Sequence, residues 1–187
     1  MPDTRAVVYL AGVLASSFPG LEERLSRRYF KTRKHRNWKE LINTTYEPVP
    51  SCLLIDPGSL FDESLEIFNY QHKPGNFLPP IVYLASDSSV EQAVRIMRAG
   101  ALHFLLAGHT DIEEILATIQ EGIEKSIEPS RFIHSLRYLT ESERTIALLV
   151  EQGLISKQIA ERLDCSVRTV EWHRRNILRK RVKLTFS

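Results

Sequence analysis

Four side chains near the C-terminus recur at helical spacing: Arg168, Trp172, Arg175 and Arg179, at +4, +7 and +11. On a helix, that spacing collects them on one face. Guanidinium forks match the paired acceptors of a guanine edge or a phosphate, and an indole packs against a thymine methyl. Arg174, Lys180, Arg181 and Lys183 add charge toward the end of the same helix, where phosphates would lie. Val167, Val170 and Ile177 supply the complementary apolar stripe. A solvated basic face is the other reading of such a helix, with Glu171 pairing with Arg174 or Arg175 at i+3 and i+4. An exposed Trp among the charges points to nucleic acid instead.

No other constellation assembles by spacing. His103, His109 and Cys52 lack the C-x-x-C or H-x-x-x-H intervals of a metal site. No Gly-rich phosphate loop or nucleophile elbow occurs. The expectation is a protein that is not an enzyme and uses no cofactor or metal.

The 187 residues are 43% hydrophobic and 26% charged, which excludes global disorder. Two cysteines are too few for a disulfide scaffold and fit a reducing cytosol. No apolar run approaches the ~18 residues of a membrane span. The uncharged stretch 6–18 superficially looks like the core of a secretion signal, but Asp3 and Arg5 cancel before it. A cytoplasmic protein with no membrane partner is expected. Its charge is divided: residues 1–130 hold 13 Lys+Arg against 17 Asp+Glu, and 131–187 hold 12 against 6. An acidic module joined to one that meets nucleic acid has this pattern.

The elements that must position the basic stripe can be read in turn. Thr140 and Glu143 form a capping box before a helix with Ile146, Leu149 and Val150 on one face, ending at Gly153. Ser156 is expected to cap a second, short helix whose Ile159, Ala160 and Leu163 face inward. Asp164 and Cys165 turn the chain, and Ser166 caps the basic helix. Two short helices joined by a tight turn make a helix-turn-helix.

Earlier in the chain, the short apolar runs 6–11, 52–55, 81–84 and 103–106 read as buried strands. Helical patterns separate them: 60–70, 90–99 with Val90, Val94 and Met97 together, and 111–125. Between 21 and 50, a helix 21–29, a strand 30–34 and a helix 38–44 capped by Asn37 complete five strand–helix units. The strip 24–39 carries eight basic residues and no acid before Glu40, which protects an edge strand or contacts a partner or nucleic acid. Residues 126–138, with Pro129, break the periodicity and read as a linker. The domains are therefore 1–125, the linker 126–138, and 139–187.

The segments Leu139-Thr-Glu-Ser-Glu-Arg144, Lys157-Gln-Ile-Ala-Glu-Arg-Leu163 and Ser166-Val-Arg-Thr-Val-Glu-Trp-His-Arg-Arg-Asn-Ile-Leu-Arg-Lys180 resemble the LuxR-type helix-turn-helix, closest to its FixJ-like branch. The resemblance implies binding to double-stranded DNA as a homodimer. It places Lys157, Arg168, Thr169 and His173 on the DNA backbone, and Glu171, Trp172 and Arg175 toward bases. Glu171 departs from the basic or polar residue usual there; it would accept from a cytosine amine or tune the arginines. The usual fourth helix has no counterpart in 181–187, so dimerisation is expected elsewhere.

Pro80-Ile-Val-Tyr-Leu84, the run 90–101 and His103-Phe-Leu-Leu106 are similar to FixJ-like receivers. The expected fold is α/β: a flavodoxin-like five-stranded parallel-sheet receiver domain followed by a small all-α helix-turn-helix domain. In that family an aspartate ending the third strand takes phosphate, and Asp56 stands at that position. Its companions are missing. No acid occurs from 6 to 21, Ala85 replaces the Thr/Ser, and Ala107-Gly108 replaces the Lys-Pro pair. Without a cation to neutralise the phosphoryl oxygens, transfer is disfavoured. The expectation is a transcription regulator with a pseudo-receiver, whose input is a small ligand or a sensor kinase. Two other readings remain: a conventional phosphorelay switch using Asp56, and an interaction protein that blocks a full-length regulator.

Overall fold

A computed structural model describes residues 6–12, 18–71 and 77–185, with side chains described through Lys180. The chain divides into two compact units, Met1–Ser130 and Arg131–Ser187.

The first unit is a parallel sheet of five strands, in the order β2-β1-β3-β4-β5. They are β1 (Val7–Gly12), β2 (Lys31–His35), β3 (Ser51–Asp56), β4 (Ile81–Ala85) and β5 (His103–Leu106). The inner strands β1, β3 and β4 are apolar because both faces are covered, with alternate residues serving opposite faces, while the edge strand β2 is charged. Val7, Tyr9, Leu53, Ile55, Ile81 and Tyr83 pack with α2 (Trp38–Ile42), α3 (Phe61–Ser64), α4 (Glu66–Gln71) and α5 (Val90–Ala99). Val8, Leu10, Cys52, Leu54, Val82 and Leu84 pack with α1 (Leu21–Arg27) and α6 (Ile112–Leu136). The expected flavodoxin-like order is the one observed.

Two local expectations need correction, at 60–70 and at 126–138. The helix expected at 60–70 is two short ones, α3 and α4. On α5 the trio Val90, Val94 and Met97 faces outward, Val90 being 83% exposed, and Ile96 supplies the buried contact. The stretch 126–138 is helical as far as Leu136, because α6 continues through Pro129. Ser126 and Ser130 occupy the buried face there. The Ser126 hydroxyl accepts from the Ser51 N–H at 2.7 Å, and that of Ser130 donates to the Val49 carbonyl at 3.0 Å. The basic strip follows the edge-strand expectation and is extensively matched by acids. Glu113 takes Arg24 and Arg28, Glu47 takes Lys31 and Arg33, and Glu22 takes Lys34. These half-exposed pairs suit a charged edge strand more than an open basic patch.

α6 lies close on the sheet at Gly122. A Cβ there would fall 2.6 Å from the Cys52 sulfur. Gly122→Ala is therefore expected to destabilise the unit by about 1–3 kcal/mol. Adding Cys52→Ala should recover part of the loss in urea denaturation. A double variant no more stable than Gly122→Ala alone would place the clash elsewhere.

Candidate nucleic-acid interface

The second unit holds α7 (Glu141–Glu151), α8 (Ser156–Arg162) and α9 (Val167–Thr185), after the last turns of α6. The capping box at Thr140 is present: the Glu143 N–H donates to the Thr140 hydroxyl, and the Thr140 N–H donates to Glu143 Oε2 at 2.8 Å. α8 and α9 are joined by a tight turn in which Asp164 takes φ +50°, a conformation Asp tolerates better than most residues. The Cys165 N–H closes the turn on the Ala160 carbonyl at 3.0 Å. Ser166 begins α9 as expected, its hydroxyl accepting the Thr169 N–H at 3.0 Å.

Val170 and Ile177 of α9 are buried, and so are Ile159 and Ala160 of α8. Val167, expected in the same stripe, is exposed. The opposite face of α9 presents Arg168, Trp172, Arg175 and Arg179, all exposed, with Trp172 at 55%. Lys157 is exposed on α8, and Arg174 is partly covered. Arg181 and Lys183 lie outside the described side chains.

The structure gives five other residues contacts that the sequence did not show. Ser156 is not the cap of α8: Ile155 holds that position, its N–H donating to Gln158 Oε1. The Ser156 hydroxyl donates instead to the Glu171 carboxylate. Glu171 accordingly ties α8 to α9 and makes no ion pair with Arg174 or Arg175 among the described residues; Arg175 Nε reaches only its backbone carbonyl. The Thr169 hydroxyl meets that of Ser166 at 2.8 Å. His173 is half-buried, edge-on to Trp172 at 4.8 Å between ring centroids, with its Nδ1 buried and unpaired. Lys180, expected beside phosphates, donates to Glu143 at 2.5 Å. Sequence reading assigned Glu143 to the helix cap and missed this second partner. Burial pushes the Glu143 carboxyl up, but the Lys180 ammonium and the Thr140 N–H outweigh it and hold the group below its usual range. The pair thus stabilises this unit near neutral pH, and the contribution is lost as pH falls through that lowered value.

In the first unit, Asp56 ends β3 at 0% exposure, and its Oδ1 accepts the Gly58 N–H at 3.0 Å. It pairs in register with Gly12 of β1, at the point where the strand order reverses. Gly12 has φ +98°, and a Cβ on it would fall 1.6 Å from the Asp56 carbonyl oxygen. Tyr83 of β4 centres an aromatic group. Phe61 is edge-on to Tyr83 and Phe104 stacks on it, while the Tyr83 and Ser64 hydroxyls share a hydrogen bond. Burial, with the Asp56 charge adding to it, pushes the Tyr83 phenol up to about 12 against the Ser64 bond. His103 pairs with Glu121 at 2.8 Å. Among the described residues, no group of three or more His, Cys, Asp or Glu is arranged to hold a metal ion. Nor is any described helix long and apolar enough to cross a membrane.

Residues 137–181 match the luxR family of bacterial regulatory proteins. The C4-dicarboxylate transport transcriptional regulatory protein DctR of Rhodobacter capsulatus is 33% identical over 69% of this chain and 69% of its own length. The chain belongs to the LuxR/FixJ-type response regulators. Nodulation protein W of Bradyrhizobium diazoefficiens is 30% identical over 76% of the chain, which spans 65% of that relative. A response regulator receiver protein from Pseudoalteromonas atlantica superposes with a TM-score of 0.53 at 20% identity, covering 64% of this chain and 98% of its own. That likeness bears on the fold alone. This response regulator therefore carries a receiver fold followed by a LuxR-type DNA-binding helix-turn-helix.

Proposed function

We propose that this regulator is a cytoplasmic transcription factor that binds double-stranded DNA as a homodimer, and that its receiver is not switched by Mg²⁺-dependent phosphorylation of Asp56. On DNA, Lys157, Arg168, Thr169, His173, Arg174 and Arg179 face the backbone, while Trp172 and Arg175 face bases. Glu171, tied to Ser156, positions the helix rather than reading a cytosine.

The observation that carries the phosphorylation reading is the closure around Asp56. Its side chain is buried, and Oδ1 accepts the Gly58 N–H of the next turn. The residues present do not fit Mg²⁺, which needs carboxylates and room for water in an octahedral shell. Support for the dimer comes from the row Val90, Val94 and Met97, which flanks a groove of about 710 Å³ reaching Phe104, Leu106 and His109. Exposed apolar surface of this kind marks association or ligand sites. The input is then a small ligand or a docking protein, with no phosphoryl transfer.

Beryllofluoride with Mg²⁺ tests this. The affinity of the full chain for duplex selected from a random pool should be unchanged by it, and light scattering should give a dimer in both conditions. A tenfold tightening, or a monomer that dimerises only with beryllofluoride, would return the protein to conventional phosphorelay control.

A further inference from the structure

Lys180 belongs by sequence to the cluster of cations that closes the basic helix. Its ammonium nevertheless turns to Glu143, whose side chain is only 4% exposed. The same carboxylate oxygen accepts the Thr140 N–H at 2.8 Å. One group thus completes the N-terminal cap of α7 and holds the C-terminal half of α9. Near its other end, α9 is held by the Ser156–Glu171 hydrogen bond and the buried Val170. The exposed residues Arg168, Trp172, Arg175 and Arg179 lie between or beside these two fixings.

An apolar pair would fill the same space without desolvating two charges. It would also leave the helix free to slide or tilt, because apolar contact has no direction. A hydrogen-bonded ion pair fixes one geometry. Base readout depends on such geometry, since side chains must meet base-edge donors and acceptors within hydrogen-bonding distance. Phosphate attraction depends on it much less.

We propose that Glu143 and Lys180 are positioning residues for sequence recognition: their ion pair sets the tilt of α9 in the major groove, and Lys180 contacts no phosphate. This rests on duplex binding by the second unit.

The test uses the full chain and two probes, the duplex that the wild-type protein enriches from a random pool and a scrambled duplex of equal length. Both are titrated over a salt series at a temperature where circular dichroism shows every variant folded. Lys180→Met alone leaves a buried carboxylate unpaired, so the decisive variant is Glu143→Gln with Lys180→Met. Gln still closes the capping box, and no orphan charge remains. In that double variant, binding to the scrambled duplex and the salt slope should match wild type. The preference for the enriched duplex should fall roughly tenfold, within the range of one or two mismatched base pairs. Lys157→Ala, a phosphate contact in the reading above, should flatten the slope by about 0.9. A double variant with wild-type preference would reduce the pair to a stabilising contact and overturn the proposal. So would a slope about 0.9 shallower in the double variant, which would make Lys180 a phosphate contact. If the wild-type protein enriched no duplex at all, the DNA-binding reading itself would fall, and the proposal with it.

Discussion

Arg175→Ala is expected to relax sequence preference at one base position and to weaken binding to the enriched duplex by about 1–3 kcal/mol. The side chain is exposed on α9 beside Trp172, and its Nε touches only the Glu171 carbonyl, at 3.4 Å. The Glu171 carboxylate is turned to Ser156, and no ion pair joins it to Arg175 among the described residues. The charge of Arg175 and most of its donors are therefore left available to a groove. A guanidinium fork on a guanine discriminates by its paired donors, so removing it should affect that position far more than its neighbours. Selecting duplexes from a randomised pool with wild type and variant, then comparing preferences position by position, measures this directly. An even loss at every position, with a shallower salt slope, would reassign Arg175 to the phosphates.

The helix-turn-helix was legible because its signals are local. Capping residues, a turn and a charged stripe at 3.6-residue period all lie within about 45 residues, and the structure keeps Thr140, Ser166, Val170 and Ile177 in their expected roles. The same local reading failed where a polar side chain bonds to something distant in sequence. Lys180 and Glu143 are 37 residues apart, and charge alone gave no sign that they meet. Ser126 and Ser130 hid the continuation of α6 for a related reason. They fill buried helical positions with hydroxyls that bond the backbone before and within β3, so hydrophobic periodicity lapses while the helix does not. The α5 face was legible as a shared face but not as an exposed one. Val90, Val94 and Met97 have the spacing of a core stripe, yet the sheet is met by Ile96 and the stripe stays outside. Periodicity reports that a helix has an apolar face, and leaves open whether its own chain covers it.

The receiver site shows a further limit of sequence reading. Missing partners of Asp56 were visible as residue types: no acid from 6 to 21, with Ala85 in place of Thr/Ser and Ala107-Gly108 in place of Lys-Pro. The tight approach of β1 to the β3 backbone at this point was not visible, because it depends on strand register rather than on residue type. Gly12 and Asp56 are opposed in a parallel register, and a Cβ at 12 would meet backbone atoms, which cannot rotate away as a side chain can.

Gly12→Ala should consequently be among the most damaging single substitutions in the first unit. The positive φ of +98° alone costs a non-glycine residue about 1–3 kcal/mol. Relieving a 1.6 Å approach to the Asp56 carbonyl oxygen requires the ends of β1 and β3 to part, an overpacking cost of about 1–3 kcal/mol or more. Together these approach the lower end of the ~5–15 kcal/mol that holds a typical domain folded. Trp38, buried in this unit, and Trp172, exposed in the other, are the two tryptophans of the chain. Urea unfolding followed by fluorescence in a Trp172→Phe background therefore reports the first unit alone. The transition should move to much lower urea in Gly12→Ala. A loss below about 1 kcal/mol would mean that β1 can withdraw from Asp56 at little cost.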